Sequence, residues 1–378
     1  MKSELDISII IPCLNEEPTI EKCVKKALRA IKKANIQGEV LVSDNMSTDN
    51  SAQIAKKAGA RVVYERKKGY GNNLKNAFKE AKGKYIIMGD ADNTYDFDET
   101  VNIYKKLKQG YDFVMGDRYK KGRILDGATP FSHKIGVPIL TWILNKFYGI
   151  NISDSQCGMR GITKEAYLKL NMQSSGMEFA SEMLVKAAKM KLKIAEVPLT
   201  LSPREGTPAK LHTYRDGWRH LSFLLTQGTN FLFIYPGTII TIIGIIIFIM
   251  LIPGHITILG RTLHYHILYF ASILIILGTN TLTFGIITKL ITSENTYTED
   301  HLLAWIKKLT LEKILLTGLS IFVLSLLILI YTFIMWKNNH FGTILNNGYL
   351  ITGFTLLIIS VNIAFAGFFF KIIQQNNL

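Results

Sequence analysis

MGDADNTYDF, residues 88–97, closes an apolar run, KYIIM (84–88), with a glycine and then two acids split by one residue, Asp90-Ala91-Asp92, with a third at Asp96. An apolar run of that length between turn signals reads as a buried strand, which puts the acids at its carboxyl end. Upstream, strand-like and helix-like segments alternate. ISIIIP (7–12), EVLVSD (39–44) and ARVVYE (60–65) read as strands, as does YDFVMGDR (111–118) downstream. EPTIEKCVKKALRAIKKA (17–34), STDNSAQIAKKAG (47–59) and GNNLKNAFKEAKG (71–83) read as helices, the first with Pro18 in its opening turn. Such alternation predicts an α/β domain, a parallel sheet with helices on both faces. Ligands on sheets of this kind bind at the carboxyl ends of the strands, where Asp44, Asp90 and Asp92 fall.

The chain has 378 residues, 48% of them hydrophobic, with 44 Lys and Arg against 29 Asp and Glu. The basic residues are concentrated at one end. After Asn230 there are only Arg261, Lys289, Lys307, Lys308, Lys313, Lys337 and Lys371. FLFIYPGTIITIIGIIIFIMLI (231–252) is long enough to cross a bilayer, which takes about 20 apolar residues. Further candidate spans cover about 265–288, 314–336 and 349–370. Four crossings leave both ends on one side, together with the loop carrying Lys289, Lys307, Lys308 and Lys313. The positive-inside rule then places the basic N-terminal part in the cytoplasm, on a multi-pass protein of the cell membrane. The expected organisation is a soluble domain over 1–210, an amphipathic juxtamembrane helix over 211–230 and a transmembrane domain over 231–378. No signal peptide is expected. Cys13, Cys23 and Cys157 have neither pairing nor metal-type spacing and suit a reducing compartment. HKIGVPILTWILNKFYG (133–149) is too short and too interrupted to span. It reads either as a helix in the membrane interface, with Trp142 and Lys146 at headgroup level, or as an ordinary core helix. Arg215, Arg219 and His220 in LHTYRDGWRHLSFLL (211–225) are expected to meet anionic headgroups.

Two carboxylates at i and i+2 can present oxygens to one hard cation, and Mg2+ or Mn2+ held this way keeps waters and bridges to phosphates. Alone the pattern is weak, but its surroundings add to it. IIPCLNEE (10–17) sets Asn15, Glu16 and Glu17 just past the first strand. VSDNMSTDNS (42–51) sets Asp44 past the second, with Asp49 where an N-cap belongs. KGYGNNLKNA (68–77) sets Gly69 and Gly71 before a helix, with Lys67 and Lys68 beside them. These glycines fit either a tight turn or a phosphate contact.

The ordered set IIPCLNEE, SDNMSTD, GDAD and GDRY resembles family 2 glycosyltransferases of the Rossmann-like GT-A fold. It is most similar to the polyprenyl-phosphate glycosyltransferases, the dolichyl-phosphate mannose and glucose synthases and the undecaprenyl-phosphate sugar synthases. SQCGMRG (155–161), GMEFASEMLVKA (176–187) and PREGTPAKLHTYRDGWRHLSFLL (203–225) resemble that group's second half, so the likeness covers about 1–225. It implies a nucleotide-sugar site bordered by Pro12, Asn15, Glu16, Lys67, Gly69 and Ala91. Asp44 would bind the base, and Asp90 and Asp92 the metal and diphosphate. Arg118 in GDRY would lie near the acceptor phosphate, with Arg204 and Lys210 in a basic segment closing over the site. Asn45 and Met46 depart from the common DDGS, and Asn93-Thr94 stand where some relatives carry a glutamine, which leaves Asp96 as a candidate third metal ligand.

A phosphate acceptor is already an anion at neutral pH and needs no general base. The site must instead screen two anions from each other. Arg118, Arg123, Lys134, Arg204 and Lys210 are the candidate cations, with Asp92 and Arg118 the residues on which transfer depends. The expected reaction is inverting, metal-dependent transfer of a hexose from a UDP- or GDP-sugar to a dolichyl or undecaprenyl phosphate. The expected partners are that donor, that lipid and the membrane, with no nucleic acid. A processive polysaccharide synthase is an alternative, although none of Trp142, Trp218, Trp305 and Trp336 sits in the Gln-x-x-Arg-Trp context it needs. A transferase to a hydroxyl, with Glu178 or Glu182 as base, is another, and a non-enzymatic scaffold a third.

Overall fold

In the first strand, β1 (Ile7–Cys13), every side chain is buried and successive ones enter different cores. Ile9 and Ile11 point into one layer and Ile10 into the other, as the period of two requires. β1 belongs to a seven-stranded sheet. The computed structural model to which this sheet belongs describes residues 5–206, 213–252, 256–258, 261–263, 265–292, 301–342 and 347–376. Contacts divide the chain into two units, Met1–Thr226 and Gln227–Leu378.

In the first unit β1 is followed by α1 (Ile20–Lys33), β2 (Gly38–Asp44), α2 (Ser51–Lys57), β3 (Arg61–Tyr64), α3 (Tyr70–Glu80) and β4 (Tyr85–Met88). Then come α4 (Thr100–Lys108), β5 (Phe113–Asp117), β6 (Arg123–Ile124), α5 (Phe131–Tyr148), β7 (Arg160–Thr163) and α6 (Lys164–Leu170). α7 (Phe179–Lys189), β8 (Ile194–Pro198), β9 (Thr200–Leu201) and α8 (Thr213–Gln227) complete it. The sheet order is β3-β2-β1-β4-β7-β5-β8. The expected parallel pairs β1–β2, β2–β3 and β1–β4 are present. The sheet is nevertheless mixed, because β7 runs antiparallel to both β4 and β5. The chain leaves the carboxyl end of β5, forms α5, and re-enters the sheet at that same end, with Arg160 opposite Met88 and Met115, so β7 must run backwards. α1, α2 and α4 cover one face of the sheet, through Val24, Ala55 and Ile103. α3, α6 and α7 cover the other, through Leu74, Tyr167 and Met183.

α5 packs against the core along one side and leaves the other exposed. Val137, Thr141 and Leu144 face inward, while Phe131, Ile135, Ile139 and Trp142 form an outward apolar stripe, with Trp142 65% exposed. α8 occupies most of the expected linker segment. Its Asp216, His220 and Leu224, four residues apart, are buried, and Leu224 joins the core beneath α3 and α7. His220 is therefore turned away from solvent, contrary to its expected headgroup role, whereas Arg215 and Arg219 stay exposed.

In the second unit, α9 (Tyr235–Leu251) follows a π-helical turn, and a small hairpin, β10 (Ile256–Ile258) with β11 (Arg261–Leu263), follows α9. α10 (Tyr265–Thr292), α11 (His301–Lys307), α12 (Leu311–Asn338) and α13 (Asn347–Asn376) complete it. Asn230–Leu251, His266–Ile291, Leu311–Asn338 and Asn347–Gln375 are each long and apolar enough to cross a membrane. α10 and α13 are tied by polar pairs, Ser272 with Thr355 at 2.6 Å and Asn362 donating to Asn280 at 2.9 Å. Such pairs satisfy polar groups that lipid cannot.

Candidate active site

The carboxyl ends of β1 and β2 carry two loops laced to each other. The Asn15 carboxamide oxygen accepts from the Thr48 N–H at 2.8 Å, and the Asn15 N–H donates to Ser47 Oγ at 2.9 Å. The Glu16 N–H donates to Ser51 Oγ, and the Glu17 carboxylate accepts from Asn50. Asp49 accepts from Ser51 N–H and hydroxyl and from Glu17 N–H, one residue before the N-cap position it was expected to fill, which Asn50 occupies. These bonds hold the residues just past buried Pro12, near the end of β1, against those just past Asp44, at the end of β2. Asp44 ends β2 and is 3% exposed. Its Oδ2 accepts from Ser47 N–H at 3.0 Å, and its buried Oδ1 has no hydrogen-bond partner among the described residues. A buried carboxylate oxygen in this state fits an N–H donor from a ligand, as recognition of a base requires.

Asn45 is not aimed at a ligand. Its carboxamide donates to Glu65 O and Lys67 O and accepts from Gly69 N–H, which shapes the 65–69 turn. Gly69, at φ +132°, and Gly71 are there for close approach to backbone. A Cβ on Gly69 would lie 2.4 Å from Ser175 O, and one on Gly71 2.5 Å from Ser174 O. The Asn72 N–H donates to Ser175 O. The start of α3, for which a tight turn and a phosphate contact were both open, is thus occupied by the 174–176 backbone, and the Lys67 side chain is exposed. The Ala91 carbonyl accepts from Thr19 Oγ1 at 2.8 Å, so it is turned toward α1.

Asp90 and Asp92 follow β4. Asp90 Oδ1 accepts from Tyr70 OH at 3.1 Å, and Asp90 Oδ2 lies against Gly158, where an added Cβ would be only 2.4 Å away. Burial and then the charge of Asp92 push the Asp90 carboxyl up to about 7. Asp92 Oδ1 accepts from Thr94 N–H and from Thr94 Oγ1, the latter at 2.6 Å. Asp92 Oδ2 accepts from Arg204 Nη1 at 2.7 Å, while Arg204 Nη2 donates to Glu16 Oε1 at 2.5 Å. A guanidinium thus spans the two acidic motifs. Arg204, expected at the acceptor phosphate, lies on Asp92 and Glu16, and the 200–205 segment is tied to the 93–95 turn. Among the described residues no cluster of three or more His, Cys, Asp and Glu is placed to hold a metal ion. Asp96 is not a third ligand here, since its Oδ1 accepts from Asp98 N–H and caps a short helix. Two hard carboxylates at a position already drawing a cation do fit an ion that fills its shell with water and phosphate oxygens.

Arg118 ends β5 and is held by Asp154, through Nε to Oδ2 at 2.6 Å and Nη2 to Oδ1 at 2.9 Å. Its Nη1 reaches Tyr95 OH at 3.4 Å, and Tyr95 OH in turn accepts from Gly158 N–H at 2.8 Å. Tyr95 and Gly158 therefore connect Arg118 to Asp90. A groove of about 330 Å³ is lined by Arg118, Arg123 and Lys134, together with Tyr119, Gly122 and Ile124. Three of the expected acceptor-side cations meet in it. Lys210 lies outside the described residues.

Glu182 and Glu178 are engaged elsewhere. The Glu182 carboxylate accepts from Gln173 N–H, from Ser174 N–H and from Lys186. Burial alone would raise its pKa, but Lys186 and the two N–H groups bring it below the ordinary value. Glu178 accepts from Gly176 N–H. Sequence reading passed over Asp154 and Arg160. Arg160 is fully buried and donates to the carbonyls of Cys157, Ser155 and Ala180, which joins the Gly158 turn to α7. An arginine inside a strand-like run, RGIT, was the available signal.

His220 bonds Ser181 Oγ through Nδ1 at 2.8 Å. Burial, then the charge of Arg160, lower its pKa to about 4. An unfolded histidine titrates near about 6.5. The neutral ring therefore costs nothing above that pH, and stability is lost as pH falls from there toward the folded value. By about pH 5 the loss is expected to reach about 2 kcal/mol. Melting curves of wild type and His220→Gln at neutral and acidic pH check this; the variant's acid-induced shift should be smaller.

A domain described as "Glycosyl transferase family 2" matches residues 8–170, and one described as "Glycosyltransferase family 2 C-terminal transmembrane region" matches 286–374. The chain is similar to the low-salt glycan biosynthesis hexosyltransferase Agl6 of Haloferax volcanii, 41% identical over 250 residues, covering 66% of this chain and 60% of Agl6. It thus spans about three-fifths of that relative's length. It is also similar to the glycosyltransferase AglJ of the same organism, 32% identical, covering 56% of this chain and 68% of AglJ. A dolichyl-phosphate hexose transferase, again of H. volcanii, is 27% identical, covering 56% of this chain and 89% of that one. With its acidic motifs gathered at the carboxyl ends of β1, β2 and β4 and four apolar helices behind them in sequence, the chain belongs to glycosyltransferase family 2 and is a membrane protein.

Proposed function

We propose that the protein transfers a hexose from a UDP- or GDP-sugar to a polyprenyl phosphate, with inversion, at the cytoplasmic face of the membrane. The observation that carries this reading is the link from Asp90 through Gly158 and Tyr95 to Arg118 and its cationic groove. On this reading the aspartates would take a diphosphate and the groove beside them a second anion. Asp44 Oδ1 would take the base, and Asp90 and Asp92 would hold Mg2+ or Mn2+ with the diphosphate. When bound, that ion offsets the charge of the departing diphosphate. Arg118, Arg123 and Lys134 bring the lipid phosphate to the anomeric carbon. A phosphate oxygen forms the new C–O bond as the bond to the nucleoside diphosphate breaks, and that group leaves with the electron pair. No proton needs to move, in keeping with Glu178 and Glu182 being bound to backbone N–H groups. The likeness to a dolichyl-phosphate hexose transferase supports the acceptor class. The exposed stripe of Phe131, Ile135, Ile139 and Trp142 on α5 suits contact with the membrane interface, where the lipid phosphate lies.

The test uses purified full-length protein, Mn2+, a panel of UDP- and GDP-hexoses, and either polyprenyl phosphate or the same lipid as free alcohol. Nucleotide release that needs the phosphate is expected with one donor. Equal release with the alcohol would show a hydroxyl acceptor.

A further inference from the structure

Asp92 has only one oxygen to offer outward. Oδ1 is held by Thr94 through both its N–H and its hydroxyl, and Oδ2 is the atom that Arg204 takes. Nor is Arg204 on a loose end. Before it, the Ser202 N–H donates to Thr94 O at 2.8 Å, and Leu201 bridges to Tyr95. After it, Glu205 accepts from Asn93 Nδ2 at 2.9 Å and pairs with Lys22 at 2.5 Å. The residues on both sides of Arg204 are thus fastened to the turn that carries Asp92. Its side chain is 23% exposed and forks between Asp92 and Glu16.

We propose that Arg204 is a built-in cation that competes with the divalent metal for Asp92 Oδ2, so that metal and nucleoside diphosphate bind well only together. This rests on the reading of Asp90 and Asp92 as metal-holding residues. A guanidinium and a divalent ion on one carboxylate oxygen repel each other at short range. Metal arriving alone must displace Arg204 and leave its charge without that partner. Metal arriving with a diphosphate supplies a new anion for the displaced guanidinium within reach of the same strap. Each ligand then tightens the other's binding by the same factor. The device keeps the acidic pair compensated between turnovers and makes the metal–nucleotide complex the preferred ligand.

The proposal predicts a sign that a purely phosphate-binding arginine would not produce. Mn2+ binding is followed by electron paramagnetic resonance on full-length wild type, Arg204→Gln and Arg204→Lys, each alone and with UDP or GDP. Arg204→Gln should bind Mn2+ alone about ten-fold tighter than wild type. The factor by which the diphosphate tightens Mn2+ should shrink by about the same amount. Arg204→Lys, which keeps the charge and loses the fork, should fall between them and serves if the glutamine variant does not fold. Mn2+ binding to Arg204→Gln no tighter than to wild type would overturn the competition and leave the metal reading standing. Failure of Mn2+ to bind any form, with or without diphosphate, would overturn both.

Discussion

Replacing Asp92 by Asn is expected to lower hexose transfer at least about 1,000-fold, equivalent to about 4 kcal/mol of transition-state stabilisation, while the protein still folds in detergent. The two expectations follow from different atoms of one side chain. Asp92 Oδ1 accepts from the Thr94 N–H and hydroxyl, and the carboxamide oxygen of Asn can accept both of those bonds. The turn after β4 is therefore kept. Asp92 Oδ2 faces Arg204, and there Asn presents an NH2 group in place of a charged oxygen. A cation site on Asp90 and Asp92 then loses half its formal charge, and the departing diphosphate loses the ion that offsets it. Chelation of wild-type protein with EDTA should have an effect of the same order, reversed by added Mn2+. Circular dichroism and melting in detergent, run beside the transfer assay, separate loss of chemistry from loss of fold. Undiminished turnover in EDTA would remove the metal from the mechanism.

The parts of this molecule legible in its sequence are those whose signals are local. β1, β2 and β4 are short apolar runs closed by Pro12, Asp44 and Gly89, and the acids that follow each lie within a few residues, so strand and site are read together. The four apolar helices declare themselves by length alone. β7 and β8 are hidden for opposite reasons. β7 begins with a buried arginine, a residue that argues against a buried strand until its three carbonyl partners are known. β8, IAEVP, carries Glu196, whose carboxylate is spent on Ser153 and Asp154 backbone N–H groups. The site's ion pairs are hidden by distance along the chain. Arg204 meets Asp92 across 112 positions and Glu16 across 188. Nothing local in PREG distinguishes an arginine that grips phosphate from one that bridges two carboxylates. Gly69 and Gly71 mislead in the same manner, since a glycine needed for close approach looks alike whether the approaching group is a phosphate or the carbonyl of Ser175.

Truncating Arg118 to Ala should cost about 2–4 kcal/mol of transition-state stabilisation, by comparison with loss of an oxyanion donor, with the donor's KM little changed. Two consequences are built into its geometry. Arg118 spends one edge of its fork on Asp154, whose side chain is fully buried, so the substitution also strands a buried carboxylate. That part of the loss appears as a lower melting temperature, and breaking a buried pair costs about 3–5 kcal/mol. Nη1 donates to Tyr95 OH, and Arg118 lines the groove shared with Arg123 and Lys134, so loss of the side chain should also appear in the kinetics of the lipid phosphate. Arg118→Lys keeps the charge but cannot make two parallel bonds to Asp154, so it should recover part of the acceptor kinetics and little of the stability. Glu182→Gln supplies the contrast. Glu182 anchors Gln173 and Ser174 backbone N–H groups and Lys186, so the change should lower stability and leave turnover of the folded protein near wild type. If the acceptor were a hydroxyl, the order would reverse, because a carboxylate would have to take its proton while no second anion needed an arginine. Acceptor kinetics for the three variants, normalised to folded protein, decide between the two. Near-wild-type turnover by Arg118→Ala beside an inactive Glu182→Gln would make the basic groove a membrane-facing surface and the carboxylate the catalytic group.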